Sequence, residues 1–244
     1  FSLALIPHVL SVKTLICLHP SYGNIVILLN LSMNDLKNNF IDFAIKEQVL
    51  RFGDFTLKSG RNSPYYFNTG LCNSGSKLKR LADFYANYIH QNNLNFDFIL
   101  APAYKGITLA SSISLQLNNV FSLDKPFSSN RKEEKKHGDV GALIGSPLSG
   151  NGLIVDDVIS SGSSLDESIN IIRDNNAHPI GILVALDRME LGKSIRATFE
   201  IEKENNITVH SIINIDDVVL YLEKNELDSK NFLRMKNYLD KFKR

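Results

Sequence analysis

The sequence predicts an α/β protein with a central, mainly parallel sheet flanked by helices. Three short apolar runs, at residues 96–101, 152–155 and 179–186, have the character of strands buried on both faces of such a sheet. Each run leads into a polar or glycine-containing stretch, and two of them lead on into a segment with apolar residues at helical spacing. Repeated units of strand, loop and helix are typical of a parallel sheet, because parallel neighbours need a crossover connection.

The composition is that of an ordinary globular protein. The chain has 244 residues, of which 43% are hydrophobic and 22% charged, and its formal net charge is +1. This length allows one α/β domain with extra elements, or at most two small domains. The small net charge argues against nucleic-acid and membrane-surface partners, so an anion site must be a local cluster. Two cysteines without metal-ligand spacing make a reducing cytoplasm the expected location.

The first 32 residues differ from the rest of the chain. They are rich in Leu, Ile and Val, but no uninterrupted apolar run reaches the roughly 18–20 residues that a membrane span needs. Met33 stands directly before a polar segment that begins a helix. We therefore expect residues 1–32 to be an atypical extension or a mis-assigned start, and residues 33–244 to form the functional domain.

Helical and alternating patterns place the remaining elements. Residues 34–50 are predicted to form a helix with Asn34 or Asp35 as its N-cap, and residues 52–68 a hairpin outside the main sheet. Further helices are predicted at 78–92, from 107 to about 117, and at 165–173, 200–205, 217–224 and 229–242. Further strands are predicted near 125–129, 142–144 and 208–215.

The stretch that follows residues 152–155 has the chemistry of a phosphate site. Asp156 and Asp157 precede a loop of serines around Gly162, and the N–H groups of such a turn, with a helix N-terminus, attract an anion. Two carboxylates beside a phosphate would repel it unless they bind something else, such as a sugar diol or a divalent cation. A phosphorylated ribose satisfies both requirements. The alternative is an ordinary strand-to-helix turn whose polar side chains cap the helix.

Two further segments carry positive charge. The loop at 102–106 contains Lys105 beside a glycine, and its amides and cation suit a pyrophosphate; a lone lysine in a turn is more often simply solvated. Residues 130–141 hold more cations than acids, and Gly138 and Gly141 permit motion. We interpret this segment as a flexible cationic flap that closes over a multiply charged ligand. The alternative is a solvated charged loop.

Four segments together resemble the bacterial-type orotate phosphoribosyltransferases, which belong to the type I phosphoribosyltransferase family. The segments are FTLKSGR at 55–61, PAYKG at 102–106, NRKE at 130–133 with Lys135 and His137, and the acidic serine turn at 152–164. The last marks the superfamily, and the first and third indicate the orotate-specific members. The chain departs from the family in having serine at 160, 163 and 164, where threonine or alanine is common. Because Ser160 keeps a hydroxyl, we expect altered affinity rather than lost chemistry.

The resemblance implies the type I phosphoribosyltransferase fold, with a small N-terminal hood subdomain and a flexible catalytic loop. It implies transfer of ribose 5-phosphate from phosphoribosyl pyrophosphate (PRPP) to orotate, giving orotidine 5′-monophosphate and pyrophosphate. Mg²⁺ would be held mainly through PRPP rather than by direct protein ligands. The family also implies a homodimer whose flap crosses into the partner's site. Positioning and electrostatics would supply the catalysis, without a covalent nucleophile.

The resemblance also assigns roles to residues of this chain. The catalytic positions are Lys135, His137, Asp156 and Asp157, with Lys135 or His137 as the proton donor to the leaving group. These four also belong to the PRPP site, whose other members are Lys58, Tyr104, Lys105, Arg131, Lys132, Val158, Ile159, Ser160, Ser161, Gly162, Ser163 and Ser164. The orotate contacts are Tyr66, Phe67, Ser160 and Arg188.

Two other functions stay open on the sequence. One is a type I transferase for a purine or uracil, against which the Lys58 segment and Arg188 argue. The other is a PRPP-sensing regulator that binds without turnover; the basic flap and the lack of a helix-turn-helix segment argue against it.

Overall fold

The computed structural model describes residues 14–18, 25–29, 32–57, 60–132, 143–159, 163–225 and 229–242. The strands are β1 (Thr14–Leu18), β2 (Ile25–Leu29), β3 (Leu50–Thr56), β4 (Asn62–Phe67), β5 (Phe98–Leu100), β6 (Phe127–Asn130), β7 (Leu143–Gly145), β8 (Asn151–Ile159), β9 (His178–Asp187) and β10 (Thr208–Asn214). The helices are α1 (Met33–Lys46), α2 (Gly75–Gln91), α3 (Lys105–Phe121), α4 (Ser163–Asp174), α5 (Ala197–Asn205), α6 (Ile215–Asn225) and α7 (Ser229–Phe242), with a short 3₁₀ helix at Thr69–Leu71. None of the helices in these ranges combines the length and the apolar character needed to cross a membrane.

The main sheet has six strands in the order β10-β9-β8-β5-β6-β7. Neighbouring strands from β10 to β6 run parallel, and β7 pairs antiparallel with β6 at one edge. The predicted central, mainly parallel sheet is therefore confirmed. Its three predicted buried strands, β5, β8 and β9, lie next to one another in the middle.

The sheet is covered on both faces because its central strands are apolar on both sides. Along β8, Leu153 and Val155 belong to the core that includes α2 and α3, whereas Ile154 belongs to the core that includes α4 and α5. Successive strand residues point to opposite faces, so a continuous apolar run needs helices on each side. This arrangement leaves the strand ends as the part of the sheet where polar side chains meet.

Strands β3 and β4 form a separate antiparallel hairpin, as predicted for residues 52–68. Its inner side chains pack against the first and last helices. Phe67 lies 6.4 Å from Phe40 of α1, and Tyr65 lies 6.0 Å from Tyr238 of α7, measured between ring centroids. Helix α7 therefore packs against the hairpin. Strands β1 and β2 pair antiparallel with each other, outside the main sheet.

Several predicted boundaries were wrong. The N-cap of α1 is Ser32 rather than Asn34 or Asp35; the Ser32 hydroxyl accepts the Asp35 N–H, and the Asp35 carboxylate accepts the Ser32 N–H. Helix α1 ends at Lys46 because Gln48 adopts φ 61° in the left-handed region, and Leu50 already belongs to β3. Helix α3 begins at Lys105 and extends to Phe121, beyond both predicted ends.

The most consequential difference concerns β8. The sequence predicted that the strand stops at the two carboxylates, but β8 continues through them to Ile159. The neighbouring strand explains this extension, since β9 pairs with β8 as far as Ile159 opposite Asp187. Asp156 and Asp157 are therefore strand residues.

Candidate functional site

The carboxyl ends of β5, β6, β8 and β9 meet at one edge of the sheet, where open α/β sheets bind their ligands. Asn130, at the end of β6, ties two of the neighbouring segments together. Its side-chain oxygen accepts the Ala103 N–H at 2.8 Å, and its amide group donates to Glu167 of α4 at 3.2 Å. The loop after β5 and the helix after β8 are thereby held in one arrangement.

Asp157 is the centre of a small polar cluster. Its side chain is buried, and its Oδ2 accepts a hydrogen bond from Thr69 Oγ1 at 3.2 Å and pairs with Lys105 Nζ. Lys105 is the first residue of α3, directly after the loop that follows β5, and Thr69 lies in the 3₁₀ helix after the hairpin. The cluster therefore joins three distant parts of the chain.

Asp156 lies in a different environment, because consecutive strand residues point to opposite sides. Its Oδ1 accepts the Asp157 N–H at 2.7 Å, and its backbone carbonyl accepts the Tyr85 hydroxyl at 2.7 Å. Burial, followed by the charge of Asp157, raises the pKa of Asp156 to about 7, although the Asp157 N–H and Lys105 act in the opposite direction. At neutral pH this carboxyl group is therefore divided between its two protonation states.

Each of the two carboxylates uses one oxygen in these contacts. The two carboxyl groups also share a side-chain hydrogen bond, which helps to raise the pKa of Asp156. Carboxylate oxygens accept hydrogen bonds from hydroxyl groups and are the ligand type that Mg²⁺ prefers. No three His, Cys, Asp or Glu side chains converge as a metal site in the described ranges. A cation here would take its remaining ligands from a substrate and water.

The loop after β5 places exposed groups beside this cluster. Gly106 allows the start of α3 to lie against β5, because a Cβ atom there would come within 2.8 Å of the Ala101 backbone carbon. Tyr104 is 62% exposed, and Lys132 Nζ lies 5.3 Å from the centre of its ring. Lys105, Tyr104 and Lys132 therefore lie on one open side of the strand ends.

Arg188 follows β9 and is only 5% exposed. Its Nε donates to Glu190 Oε1 at 2.8 Å, and its Nη2 donates to Ser63 Oγ at 3.4 Å. The Tyr65 ring lies 4.4 Å from its guanidinium carbon. Burial lowers the pKa of Arg188, but Tyr65 and Glu190 outweigh that effect and the net pKa is raised, so the group stays charged.

The aromatic residues predicted to stack on orotate lie on two different sides of β4. Tyr66 faces Phe55, at 5.5 Å between ring centroids, and its ring lies 5.3 Å from the Arg51 guanidinium carbon. Phe67 is buried against Phe40. The structure therefore brings Tyr65, rather than Tyr66 or Phe67, into contact with Arg188, and the two predicted stacking roles stay predictions.

Several predicted site positions lie outside the described residues, namely Lys58, Lys135, His137, Ser160, Ser161 and Gly162. Ser163 and Ser164 are the first two residues of α4, which begins earlier than the predicted residue 165. Val158 and Ile159 end β8, and Ile159 belongs to the core that includes α4. The side chain of Ile159 therefore has a packing role, and only its backbone is available for a ligand.

Five groups that shape this edge had no role predicted from the sequence, namely Tyr65, Thr69, Tyr85, Asn130 and Glu190. Thr69 and Tyr85 contact β8 across 88 and 71 residues of chain, so no local pattern indicated them. Asn130 and Glu190 stood inside noted segments, without a role assigned to either.

Comparison with known proteins agrees with this geometry. Residues 73–219 match the family model of the phosphoribosyl transferase domain. Orotate phosphoribosyltransferase of Actinobacillus pleuropneumoniae serotype 5b (strain L20) is 47% identical over 211 residues, which cover 86% of this chain and 99% of that protein. The enzyme of the same name from Haemophilus influenzae (strain PittGG) is 46% identical over the same length and coverage.

A solved structure shows the same relationship. The crystal structure of orotate phosphoribosyltransferase from Francisella tularensis matches with a TM-score of 0.75 and 39% sequence identity, covering 84% of this chain and 100% of that chain. The sequence relatives and the solved structure therefore agree over most of the chain. This chain belongs to the orotate phosphoribosyltransferase family.

Proposed function

We propose that this chain transfers ribose 5-phosphate from PRPP to orotate, forming orotidine 5′-monophosphate and pyrophosphate in the synthesis of UMP. The observation that carries the proposal is the pairing of Lys105 with Asp157, beside Asp156, at the carboxyl end of a central parallel strand. Family membership supplies the identity of the reaction.

The acidic pair would act on the sugar. Departure of pyrophosphate builds positive charge on the ribose, and carboxylates held near it stabilise that charge more than they stabilise the substrate. The carboxylate oxygens of Asp156 and Asp157 are suited to accept hydrogen bonds from the ribose hydroxyls. The turn from Ser160 to Ser164 would bind the 5′-phosphate at the start of α4. Bound Mg²⁺ would neutralise part of the pyrophosphate charge, held mainly by PRPP itself.

The cations would act on the leaving group. Lys105, Arg131 and Lys132 lie near the ends of β5 and β6 and would bind the pyrophosphate by charge-assisted hydrogen bonds. We propose the same role for Lys58, Tyr104, Lys135 and His137, with Lys135 or His137 donating a proton as the bond breaks.

Arg188 would bind the carboxylate that distinguishes orotate from uracil. A guanidinium group pairs with a carboxylate through two parallel hydrogen bonds, and burial strengthens that pairing. We propose Tyr66, Phe67 and Ser160 as further contacts to the base.

Turnover assays separate this function from its rivals. Purified protein with PRPP, Mg²⁺ and orotate should consume orotate, followed by its ultraviolet absorbance. Turnover of uracil or a purine without orotate would instead indicate a transferase for another base. Binding of PRPP with no turnover of any base would indicate a regulator.

The proposed assembly is a cytoplasmic homodimer in which the flap of one subunit completes the site of the other. Hybrid dimers test this arrangement. Lys135→Ala should lower turnover far more than it weakens orotate binding. Subunits with Lys135→Ala mixed with subunits carrying Asp157→Asn should regain activity if the flap acts across the interface, because one site then has both intact groups. If the mixed dimers regain no activity, the flap acts in the site of its own subunit.

The domain is proposed to span residues 33–244. Mass spectrometry of the native protein tests this boundary, because a peptide from residues 1–32 in the mature protein would contradict a start near Met33.

A further inference from the structure

Glu190 is buried and uses both carboxylate oxygens. Its Oε1 accepts Arg188 Nε at 2.8 Å and the Tyr238 hydroxyl at 3.3 Å, and its Oε2 pairs with Arg61 Nη1 at 3.3 Å. One side chain thereby connects the end of β9, the last helix and the segment that enters β4. Arg61 directly follows the Lys58–Gly60 stretch, so this carboxylate joins the two regions from which Lys58 and Arg188 come.

The contacts of Arg188 fix its plane and leave one edge of it for a ligand. Its Nε side is taken by Glu190, and one face lies against the Tyr65 ring at 4.4 Å. In the described part of the chain, the outer edge formed by Nη1 and Nη2 meets only Ser63 Oγ, at a long 3.4 Å. A rigid guanidinium held at one edge and stacked on a ring has little rotational freedom. Its outer edge therefore points in a direction that Glu190 sets.

The charges at this strand end favour a single incoming carboxylate. Three guanidinium groups, from Arg61, Arg188 and Arg196, accompany two carboxylates, from Asp187 and Glu190. Arg196 pairs with Asp187, and Glu190 pairs with both Arg61 and Arg188. These five groups carry one excess positive charge, which matches a base that bears one negative charge.

We infer that Glu190 is a positioning residue for the base: it holds Arg188 by Nε, ties it to Arg61, and so presents the outer edge of the guanidinium to the carboxylate of the substrate. This inference rests on the proposed function, in which Arg188 binds orotate. A purely structural ion pair would stabilise the fold but would not act selectively on one substrate.

The test compares Michaelis constants for the two substrates. Glu190→Gln keeps an oxygen that accepts the Nε hydrogen bond but removes the charge, and should raise the KM for orotate about tenfold with the KM for PRPP within about twofold. Tyr238→Phe removes a hydrogen bond to the Glu190 carboxylate and should raise the KM for orotate about twofold. Glu204→Gln, at an exposed acid of α5 that pairs with Lys193, is the matched control and should change neither constant.

A double-mutant cycle shows whether the effect passes through Arg188. The variant with Glu190→Gln and Arg188→Lys should have the orotate KM of Arg188→Lys alone, because the group that Glu190 orients has already been altered. The inference would be overturned if the two substitutions had additive effects on the orotate KM, or if the KM values for orotate and PRPP rose equally.

Three outcomes remain distinguishable. If wild-type protein does not turn over orotate, the proposed function fails. If wild-type protein turns over orotate and Glu190→Gln leaves its KM unchanged, only the inference fails. If Glu190→Gln does not fold, as judged by circular dichroism, Tyr238→Phe decides, and an unchanged orotate KM in that variant overturns the inference.

Discussion

The carboxyl ends of β8 and β9 are neighbours in the sheet, yet they carry opposite charge, and the cation Lys105 at β8 is more exposed than the cation Arg188 at β9. At the end of β8, the carboxylates Asp156 and Asp157 have Lys105 as their described cation, and the Lys105 side chain is 55% exposed. At the end of β9, three guanidinium groups outnumber two carboxylates, and Arg188 and Glu190 are both buried. The end of β8 is acidic and has an exposed cation, and the end of β9 is basic and has the buried cation Arg188.

This difference matches two different tasks. The acidic end keeps two carboxyl groups close together; burial, followed by the charge of Asp157, raises the pKa of Asp156, so part of that shift is repulsion between like charges. A ligand that develops positive charge relieves it. The basic end is already arranged by hydrogen bonds and ring stacking, so a carboxylate meets a guanidinium that needs no reorientation. Charge stabilisation and base selection are therefore placed on adjacent strands.

The largest expected effect is at the acidic end. Asp157→Asn should lower kcat/KM about 10²–10³-fold, because it removes the charge that pairs with Lys105 and stabilises the cationic ribose. Circular dichroism should show the native fold, and Asp174→Asn on the exposed end of α4 is the control. Unfolding of Asp157→Asn would instead support the alternative in which this turn is structural.

A smaller effect is expected at the basic end. Arg188→Lys should raise the KM for orotate about 10- to 100-fold and leave the KM for PRPP nearly unchanged, because an ammonium group cannot reproduce the planar fork. Steady-state kinetics with each substrate varied in turn measures this. Equal increases in the KM values for orotate and PRPP would contradict the assignment of base selection to the end of β9.

Asp156→Asn should stabilise the protein while it impairs catalysis. The folded-state pKa is raised from 3.8 to about 7, so the folded chain holds a proton that the unfolded chain has lost, and stability falls as pH rises through this window. The variant has no such ionisation and should be more stable by on the order of 4 kcal/mol at about pH 8. Urea titrations should show this gain shrinking as the pH falls and disappearing below about pH 4. A gain that is independent of pH would contradict the raised pKa of Asp156.

The smallest effect is expected from Ser63→Ala. The Ser63 hydroxyl meets Arg188 Nη2 at only 3.4 Å, a distance at which a hydrogen bond is weak. The KM for orotate should change less than about threefold, measured beside Arg188→Lys. A change as large as that of Arg188→Lys would mean that Ser63, rather than Glu190, orients the guanidinium.

The sequence alone predicted much of this molecule. Apolar runs and helical spacing are local properties, so they indicated the strands of the main sheet, the separate hairpin and the α/β class. The resemblance to the phosphoribosyltransferases, which rests on short local motifs, placed Asp156, Asp157 and Lys105 in one predicted site. The structure joins Lys105 to Asp157 directly.

Only the tertiary structure decided which side chains touch. Thr69 reaches Asp157 across 88 residues and Ser63 reaches Arg188 across 125, and no local pattern encodes such pairings. The choice of Tyr65 over Tyr66 beside Arg188 depends on the register of β4, where a shift of one residue exchanges the two faces. Local patterns therefore specified the elements and their chemistry, whereas long-range packing specified which of those groups meet.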